Sequence, residues 1–514
     1  MPNPCDADLP ARIARAMACV ARWCERRLAE GVLDPHNYGR AVDALLKGAA
    51  ASGTPAPEAV VEGLRAVLLD LTDNPLGFPR VDGQTNPHDL REMVQSFTEL
   101  AAVRDDRAAR ERLGTLLDTW IRLTNPDGTW RVDLIAAEPS LKHPGFTDEH
   151  DGIESPPPRS RARTVMALAH LFRLTGDQRA LELAGRFVRL ARTTSFTEDG
   201  RLTAHAGAHT HSITGTVQGL ADYGLLIGDL DTVEHARRIF DVGLASTCSS
   251  FGWSIENLGN ERVPGRGEIN NTGDMIQTAI TLGLSGRPEY FGVAERMIRS
   301  HVLPSQWLAG QEMLSPEDAP DYAVTEFPPE ADGGWGFPSP SDRHVPDPLG
   351  VATSVLDVVQ GGIQCLWAAL RHGSTRHGPD TRLNLLFSTD RAAARTSSRL
   401  PAAGDVTVTM PAAGSLWVRK PDWLPWEELT LGRAGEDESG LGFRRIHPWA
   451  VTDPLAAGTG VRLRFTPVRR SEEEWVYWQR HDMVFEGDTL VEMSPRGRYS
   501  PMFAGLAPEG VAPG

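Results

Sequence analysis

"LAHLFRLTGDQRALELAGRFVRLA", Leu168 to Ala191, carries the pattern on which the fold turns. An apolar run stops at Thr175-Gly176-Asp177. A second run follows in which Ala180, Leu183, Ala184, Phe187, Val188 and Ala191 recur every three or four residues. Glycine just past a helix accepts the left-handed conformation that ends it, so the stretch predicts a buried helix, a tight turn and an amphipathic helix. "GLADYGLLIGDLDTVEHARRIFDVGLA" (219–245) and "AITLGLSGRPEYFGVAERMIRSHVL" (279–303) repeat the scheme around Gly228 and Gly286. "FTELAAVRDDRAARERLGTLLDTWIRL" (97–123) is a weaker copy with no glycine at its turn. The copies recur every ~50–70 residues, longer than solenoid repeats. The extra length lies in Gly/Pro/His/Trp-rich connections at 142–158 and 333–350. Helical hairpins arranged in a ring, with long functional loops at one end, fit this better than an α-solenoid.

Past about Leu385 the period changes to two. "DVTVTMPAAGSLWVRKPDWLP", "GVRLRFTPV" and "EEWVYWQRHDMVFEGDTLVEMSP" alternate, with β-branched and aromatic residues between Pro, Gly and Asp. That predicts an antiparallel β-sandwich. The expected organisation is a six-hairpin (α/α)6 barrel over residues 1–385 and a β-sandwich over 386–514. The composition is that of a globular chain: 514 residues, 40% hydrophobic, 23% charged. A net charge of −16 argues against nucleic acid as a partner, because a phosphate binder needs a basic face. No run of 18 apolar residues argues for a membrane span, and the N-terminal stretch has no signal-peptide pattern. The five cysteines, Cys5, Cys19, Cys24, Cys248 and Cys365, are scattered and form no CxxC pair, so a reducing, cytoplasmic location is expected.

Four loops hold residues suited to chemistry. "HAGAHTHSITG" brings His205, His209 and His211 to the start of a helix, where they are open to substrate contact, metal binding or a structural role. "SSFGWSIENLGNERVPGRGEINNTGDM" holds Trp253, Glu256, Glu261 and Glu268. Glycoside hydrolysis needs two carboxylates, one to donate a proton and one to attack or to activate water. Asn271 or Thr272 is placed to cap the helix that follows. This leaves Glu268 over, in a position where the helix dipole favours its charged form and so a nucleophile or base. Glu256, beside Trp253, is then the expected acid. "ADGGWGFPSPSDRHVPDPLG" places Trp335, Arg343 and His344 ahead of a helix containing Asp357. "EHDGIESPPPRSRART" adds His150, Asp151 and Arg161.

The order of these segments resembles glycoside hydrolase family 127, the bacterial β-L-arabinofuranosidases. "GEINNTGDMIQTAITLGLSGRPEYFGVAERMIRSHVLPSQ" is similar to that family's Glu-x-Cys segment and the two helices after it. "VVQGGIQCLWAALRHG" and "TRLNLLF" are similar to the helix after its Cys-Cys pair and the strand beyond, and "SLWVRKPDWLP" to a further strand. The match covers roughly Arg161 to Pro425. Glu268 falls on the family's zinc-ligating Glu and Glu256 near its general acid. Asn270 falls on a ligand Cys, and Asp357 and Val358 on the nucleophilic and a further ligand Cys. The resemblance implies the barrel and the pocket, while the zinc–thiolate apparatus is missing. The expectation is a glycosidase working with Glu268, Glu256 and Asp357. Substrate contacts are expected from His150, His209, His211, Trp253, Asn270, Trp335, Arg343 and His344. The partner is a carbohydrate substrate, with neither nucleic acid nor membrane, and a homodimer is compatible. No cofactor or metal is expected, the alternative being a His/Glu site of His209, His211 and Glu268. The rival functions are an oligosaccharide or uronate lyase acting by β-elimination and a non-catalytic sugar-binding protein.

Overall fold

The structure is a computed structural model. It describes residues 7–148, 156–259, 266–309, 329–337, 350–390, 393–435, 440–476 and 479–495, and side chains are described from 357 onward in the helix that starts at Gly350. Among the described residues, twelve helices have nine or more residues. They are α1 (Leu9–Ala29), α2 (Pro35–Ser52), α3 (Glu58–Leu71), α4 (Leu90–Val103), α5 (Arg107–Leu123) and α6 (Val165–Thr175), followed by α7 (Gln178–Thr194), α8 (Thr210–Ile227), α9 (Leu230–Arg238), α10 (Ile269–Leu284), α11 (Glu289–Met297) and α12 (Gly350–His372).

The turns form as the sequence predicts. Gly176 and Gly228 close α6 and α8 at φ of 72° and 74°. The next residues, Asp177 and Asp229, cap α7 and α9 by accepting from Arg179 N–H and Thr232 N–H. The glycine-free turn between α4 and α5 uses Asp105 in the left-handed region at φ 52°, and Asp106 caps α5. Aspartate tolerates that conformation better than most side chains.

Burial sorts the helices into two sets. Odd-numbered helices bury one face, as α7 does with Leu183, Phe187 and Leu190. Even-numbered helices are enclosed: every residue of α10 from Ile269 to Gly283 is buried. A helix buried all round must sit inside others. Packing runs α2 on α4, α4 on α6, α6 on α8, α8 on α10, α10 on α12, and returns from α12 to α2. The odd helices lie against this inner set, α1 on α2 and α12, α5 on α4, α7 on α6, α9 on α8 and α11 on α10. No described helix is long and apolar enough to cross a membrane.

The β-rich region follows. One sheet has the order β1-β2-β5-β8-β7: β1 (Ser374–His377), β2 (Asp380–Leu383), β5 (Leu416–Arg419), β8 (Trp449–Thr452) and β7 (Phe443–Ile446). A second has the order β3-β4-β9-β6: β3 (Arg395–Ser398), β4 (Gly404–Thr409), β9 (Gly460–Phe465) and β6 (Thr430–Arg433). Their inner faces share one core, with Leu383, Leu416 and Val418 from the first sheet and Val406, Val408 and Leu463 from the second. The expectation of a purely antiparallel region needs correction, because β2 and β5 pair in parallel. A third sheet, β10 (Arg469–Val476), β11 (Gln479–Glu486) and β12 (Thr489–Ser494), has its own core. Its Met483, Phe485, Leu490 and Met493 pack on Phe251, Trp253 and Ile255, the loop that leads to Glu268. Glu474 adds bonds from its carboxylate to the Ser250 N–H (2.8 Å) and hydroxyl (2.7 Å). The last sheet is therefore a brace for that loop.

Candidate active site

The even-numbered helices bring their N-terminal halves to one polar cluster. α2 contributes His36 and Arg40, and α4 contributes Arg91 and Glu92. Arg163 stands just ahead of α6. α8 contributes His211, α10 begins after Glu268, and α12 contributes Asp357.

Glu268 occupies the cap position of α10 but its side chain caps nothing. It is 3% exposed. Its Oε1 accepts from Asn270 Nδ2 at 2.7 Å and lies 3.3 Å from His211 Nδ1. Main-chain bonds fix its place: Glu268 N–H donates to the Ser254 carbonyl (3.1 Å), and Ile255 bridges to Gly267. Asn271 and Thr272 do not cap the helix as the sequence suggests. Asn271 Nδ2 donates to the Ile255 carbonyl (2.8 Å) and the Thr272 hydroxyl to the Gly252 carbonyl (2.7 Å). They tie the loop down instead. Burial, with Asp357 and Glu256 nearby, pushes the Glu268 carboxyl up to about 8 against the pull of Arg40.

Asp357 is the opposite case. About a third of its side chain is exposed (32%). Arg40 Nη1 donates to its Oδ1 at 2.8 Å, and His36 Nε2 stands 3.4 Å away. Burial would raise this carboxyl, but Arg40 and His36 outweigh it and hold it well below the usual range. Asn270 links the two acids. Its Nδ2 also lies 3.4 Å from the Asp357 carbonyl, and its Oδ1 accepts from Gly361 N–H at 3.2 Å.

Behind them is a layer of which sequence reading singled out His209 alone. Glu92 Oε1 receives Arg40 Nε (3.3 Å), Arg91 Nη2 (2.8 Å) and Arg163 Nη2 (2.8 Å). Glu92 is fully buried, yet these guanidinium groups overcome the desolvation and keep it ionised, well below its usual range. His36 stacks on His88, with ring centroids 4.8 Å apart, and His88 meets His209 edge-on at 5.9 Å. Burial and the adjacent Arg163 and Arg159 lower both His88 and His209 well below the usual imidazole range. Asp274, also on α10, is 3% exposed and accepts from the Thr214 hydroxyl at 2.8 Å. Burial pushes it up to about 7.

Of the other expected site residues, Glu256 stays close to Glu268, and the remaining described ones separate from this cluster. Glu256 pairs with Arg266 at 2.7 Å, on the loop before Glu268. Trp253 is 2% exposed inside the core shared with the third sheet. Trp335 is fully buried and donates its indole N–H to the Val302 carbonyl at 2.8 Å. Arg161 lies over Trp130 and pairs with Asp148 at 2.7 Å. His150, Asp151, Glu261, Arg343 and His344 lie outside the described residues.

No family model matches the sequence, and no curated protein does either. Solved structures do resemble it. A GH127 β-arabinofuranosidase superposes with a TM-score of 0.63 at 15% identity, over 94% of this chain and 83% of that one. A GH127 β-L-arabinofuranosidase from Geobacillus stearothermophilus T6 gives 0.60 at 11% identity, over 92% and 80%. A protein described as a glycoside hydrolase gives 0.56 at 14% identity, over 91% and 80%. The chain shares the fold of these proteins, distantly.

The zinc of the resembled family does not fit the donors present. Asn270 offers an amide already bonded to Glu268, and Val358 is a buried apolar side chain. The Arg40 guanidinium, a cation, stands against Asp357. Among the described residues no group of three or more His, Cys, Asp or Glu is placed to hold a metal ion.

Proposed function

We propose that this chain is a carbohydrate-active hydrolase that cleaves a glycosidic bond with Glu268 as proton donor and Asp357 as nucleophile or base. The closed succession of even-numbered helices supports a six-hairpin (α/α)6 barrel up to about residue 385, with a β-sandwich after it. The pocket is assigned to the end where the N-terminal halves of these helices meet. The likeness to glycosidase folds supports the reaction class. One arrangement carries the assignment: Glu268 is enclosed with only the Asn270 amide and His211, among the described residues, against its Oε1, while Asp357 is held by Arg40 at 2.8 Å and His36 at 3.4 Å. The first carboxyl is therefore pushed up and the second held well below the usual range. Such a pair is what acid-plus-nucleophile chemistry at neutral pH requires.

The division of labour is the reverse of the one the sequence suggests. A helix N-terminus stabilises a charged carboxylate by ~0.3–1 kcal/mol. Full burial beside two other acids is the stronger effect here, so Glu268 holds its proton. In the reaction Glu268 gives that proton to the departing glycosidic oxygen. Asp357, ionised and partly exposed, attacks the anomeric carbon or takes a proton from the attacking water. His36, His209 and Asn270 are assigned to substrate contact. Glu256, paired with Arg266, orients the loop.

The test is turnover of a panel of nitrophenyl and alkyl furanosides and pyranosides by the wild type, Glu268→Gln and Asp357→Asn. New reducing ends, abolished in Asp357→Asn, support the proposal. A new ultraviolet-absorbing double bond indicates elimination, and binding without turnover across the panel indicates a lectin-like protein; either result replaces it.

A further inference from the structure

The contacts of His211 go beyond a substrate-side role. The imidazole lies between two buried carboxyls and two buried arginines. Its Nδ1 is 3.3 Å from Glu268 Oε1 and 3.5 Å from Arg40 Nη2. Its Nε2 is 3.6 Å from Asp274 Oδ2 and 3.2 Å from Arg91 Nη1. Each ring nitrogen thus faces one acceptor and one obligate donor. A neutral imidazole carries a single N–H, so it can serve one side at a time. With the proton on Nδ1, the ring donates to Glu268 and Nε2 accepts from Arg91. With the proton on Nε2, it donates to Asp274 and Nδ1 accepts from Arg40. The surroundings satisfy both tautomers.

We infer that Glu268, His211 and Asp274 form an internal proton relay: the ring changes tautomer as Asp274 hands its proton to Glu268 after a donation, and the same steps in reverse restore Asp274 when Glu268 next takes a proton from water in the pocket. The inference rests on Glu268 being the acid. After Glu268 has given up its proton, Asp274 passes the proton on its carboxyl oxygen to Nε2, and the Nδ1 proton moves to Glu268 Oε1. One proton has moved from Asp274 to Glu268. One negative charge has moved the other way, and the ring is neutral before and after. The gap to Asp274 is longer than a formed hydrogen bond, and a rocking of the ring by about half an ångström closes it.

The charged groups around the chain suit this task. Burial, with Arg91, Arg40 and Arg163 alongside, lowers His211 well below its usual value, so the ring stays neutral. Burial raises Asp274 to about 7, opposed by Arg91, the Thr214 hydroxyl and Arg163; those groups receive the charge when Asp274 ionises. Glu268, facing Asp357, Glu256 and Arg40, is pushed up to about 8. Two acids of similar strength joined by a neutral imidazole exchange a proton with little driving force in either direction. Asp274 lies six residues, about 1.7 helical turns, further along the same helix than Glu268.

The experiment needs no substrate. The full chain is labelled with ¹⁵N in the histidine rings, and His211 is assigned by the signals lost in His211→Gln. In the wild type near neutral pH, both His211 nitrogens are expected at shifts averaged between the N–H and lone-pair limits. Asp274→Asn should move them to the limiting values of the Nδ1–H tautomer and Glu268→Gln to those of the Nε2–H tautomer. A single fixed tautomer in the wild type overturns the inference, even if a variant fails to fold. So does a shift of both variants to the same tautomer. Averaged shifts in a protein without glycosidase activity leave the relay standing and remove the assigned reaction. A fixed tautomer in an active glycosidase does the reverse.

Discussion

The two ends of the inner helix set use similar side chains for different ends. At the N-terminal end, carboxyls outnumber the positions at which an arginine can neutralise them. Glu92 and Asp357 are held ionised, while Glu268 and Asp274 keep protons to about 8 and about 7. At the far end the charges are matched in pairs. Lys47 Nζ donates to Asp43 at 2.7 Å and stands 3.8 Å from Glu99, which is 2.7 Å from His170 Nε2. Gln364 and Gln360 complete the hydrogen bonds of Asp43 at 2.7 and 3.1 Å. Burial would lower Lys47, but Asp43 and Glu99 raise it, so the ammonium is secured. A cavity of about 450 Å³ at this end is lined by Lys47, His170, Gln218, Asp222 and Trp367. Buried charge is thus no mark of an active site in itself. Acids left protonated near neutral pH are the distinguishing feature.

The largest expected effect follows from that contrast. Glu268→Gln should cut turnover of alkyl glycosides by ~10²–10⁴-fold, the usual contribution of a general acid. Nitrophenyl glycosides, whose leaving groups need no proton, should lose much less. Wild-type turnover should fall as pH rises through about 8, where Glu268 gives up its proton. Equal losses on both leaving groups would remove Glu268 as the acid. At the far end, Lys47→Met leaves Asp43 and Glu99 without their ammonium. Breaking a buried pair typically costs ~3–5 kcal/mol. Denaturant unfolding should show that loss, with turnover per folded molecule retained. A comparable loss of turnover would mean that the two ends are not independent.

The fold was legible where local rules act alone. Gly-Asp at 176–177 and 228–229 ends one helix and starts the next for reasons confined to those residues. Period-two patterning announced the β-rich region, but strand order depends on contacts between distant segments, so the parallel β2–β5 pair was hidden. The site was half legible. Glu268, Asn270 and His211 stand out as polar residues at the start of an apolar helix, Asp357 stands out through the family resemblance, and the structure brings these four together in the candidate site. Arg40, Arg91, Glu92 and Arg163 were missed. Nothing in "NPHDLREMVQ" or "HNYGRAVDALLKGAAAS" distinguishes charges that face a site from charges on a solvated helix face. Only the enclosure of α2 and α4 turns those charges inward. Trp253 and Trp335 illustrate the opposite case, aromatic residues in loops that fill cores.

A smaller effect tests how closely α10 and α12 meet. A Cβ on Gly361 would stand 2.6 Å from Asn270 Oδ1 and 2.7 Å from its Cα. Gly361→Ala must therefore push α12 off the start of α10, and overpacking of this kind costs ~1–3 kcal/mol. Because Asn270 also holds Glu268 and contacts Asp357, activity should fall as well as the melting temperature. Ala substituted at Gly442, where nothing lies within 4 Å and the backbone is not left-handed, meets no such obstacle and should leave turnover unchanged. Unchanged activity in Gly361→Ala would show that Asn270 does not set the geometry of the acid pair.

The smallest effect is in the pH dependence of stability, and its sign separates the two acids. Glu268 rises from its ordinary 4.5 to about 8 on folding. Below pH ~4.5 the folded and unfolded chains both carry this proton, and burial of the neutral group costs little. As pH rises from there towards 8, the unfolded chain gains the stability of ionisation and the folded chain does not. Native Glu268 therefore destabilises the fold progressively over that window, with the full penalty above it. Asp357 works in the other direction: its folded value is depressed, so its contribution is present above the unfolded value of 3.8 and is lost as pH falls below it. Replacing Glu268 by neutral Gln removes its slope alone. The melting temperature of Glu268→Gln relative to wild type should climb between pH 5 and pH 8. Asp357→Asn should instead melt lower than wild type throughout that range, because Arg40 loses its partner. If Glu268→Gln melts at a constant offset from pH 5 to pH 8, Glu268 is ionised in the folded protein and has no proton to give.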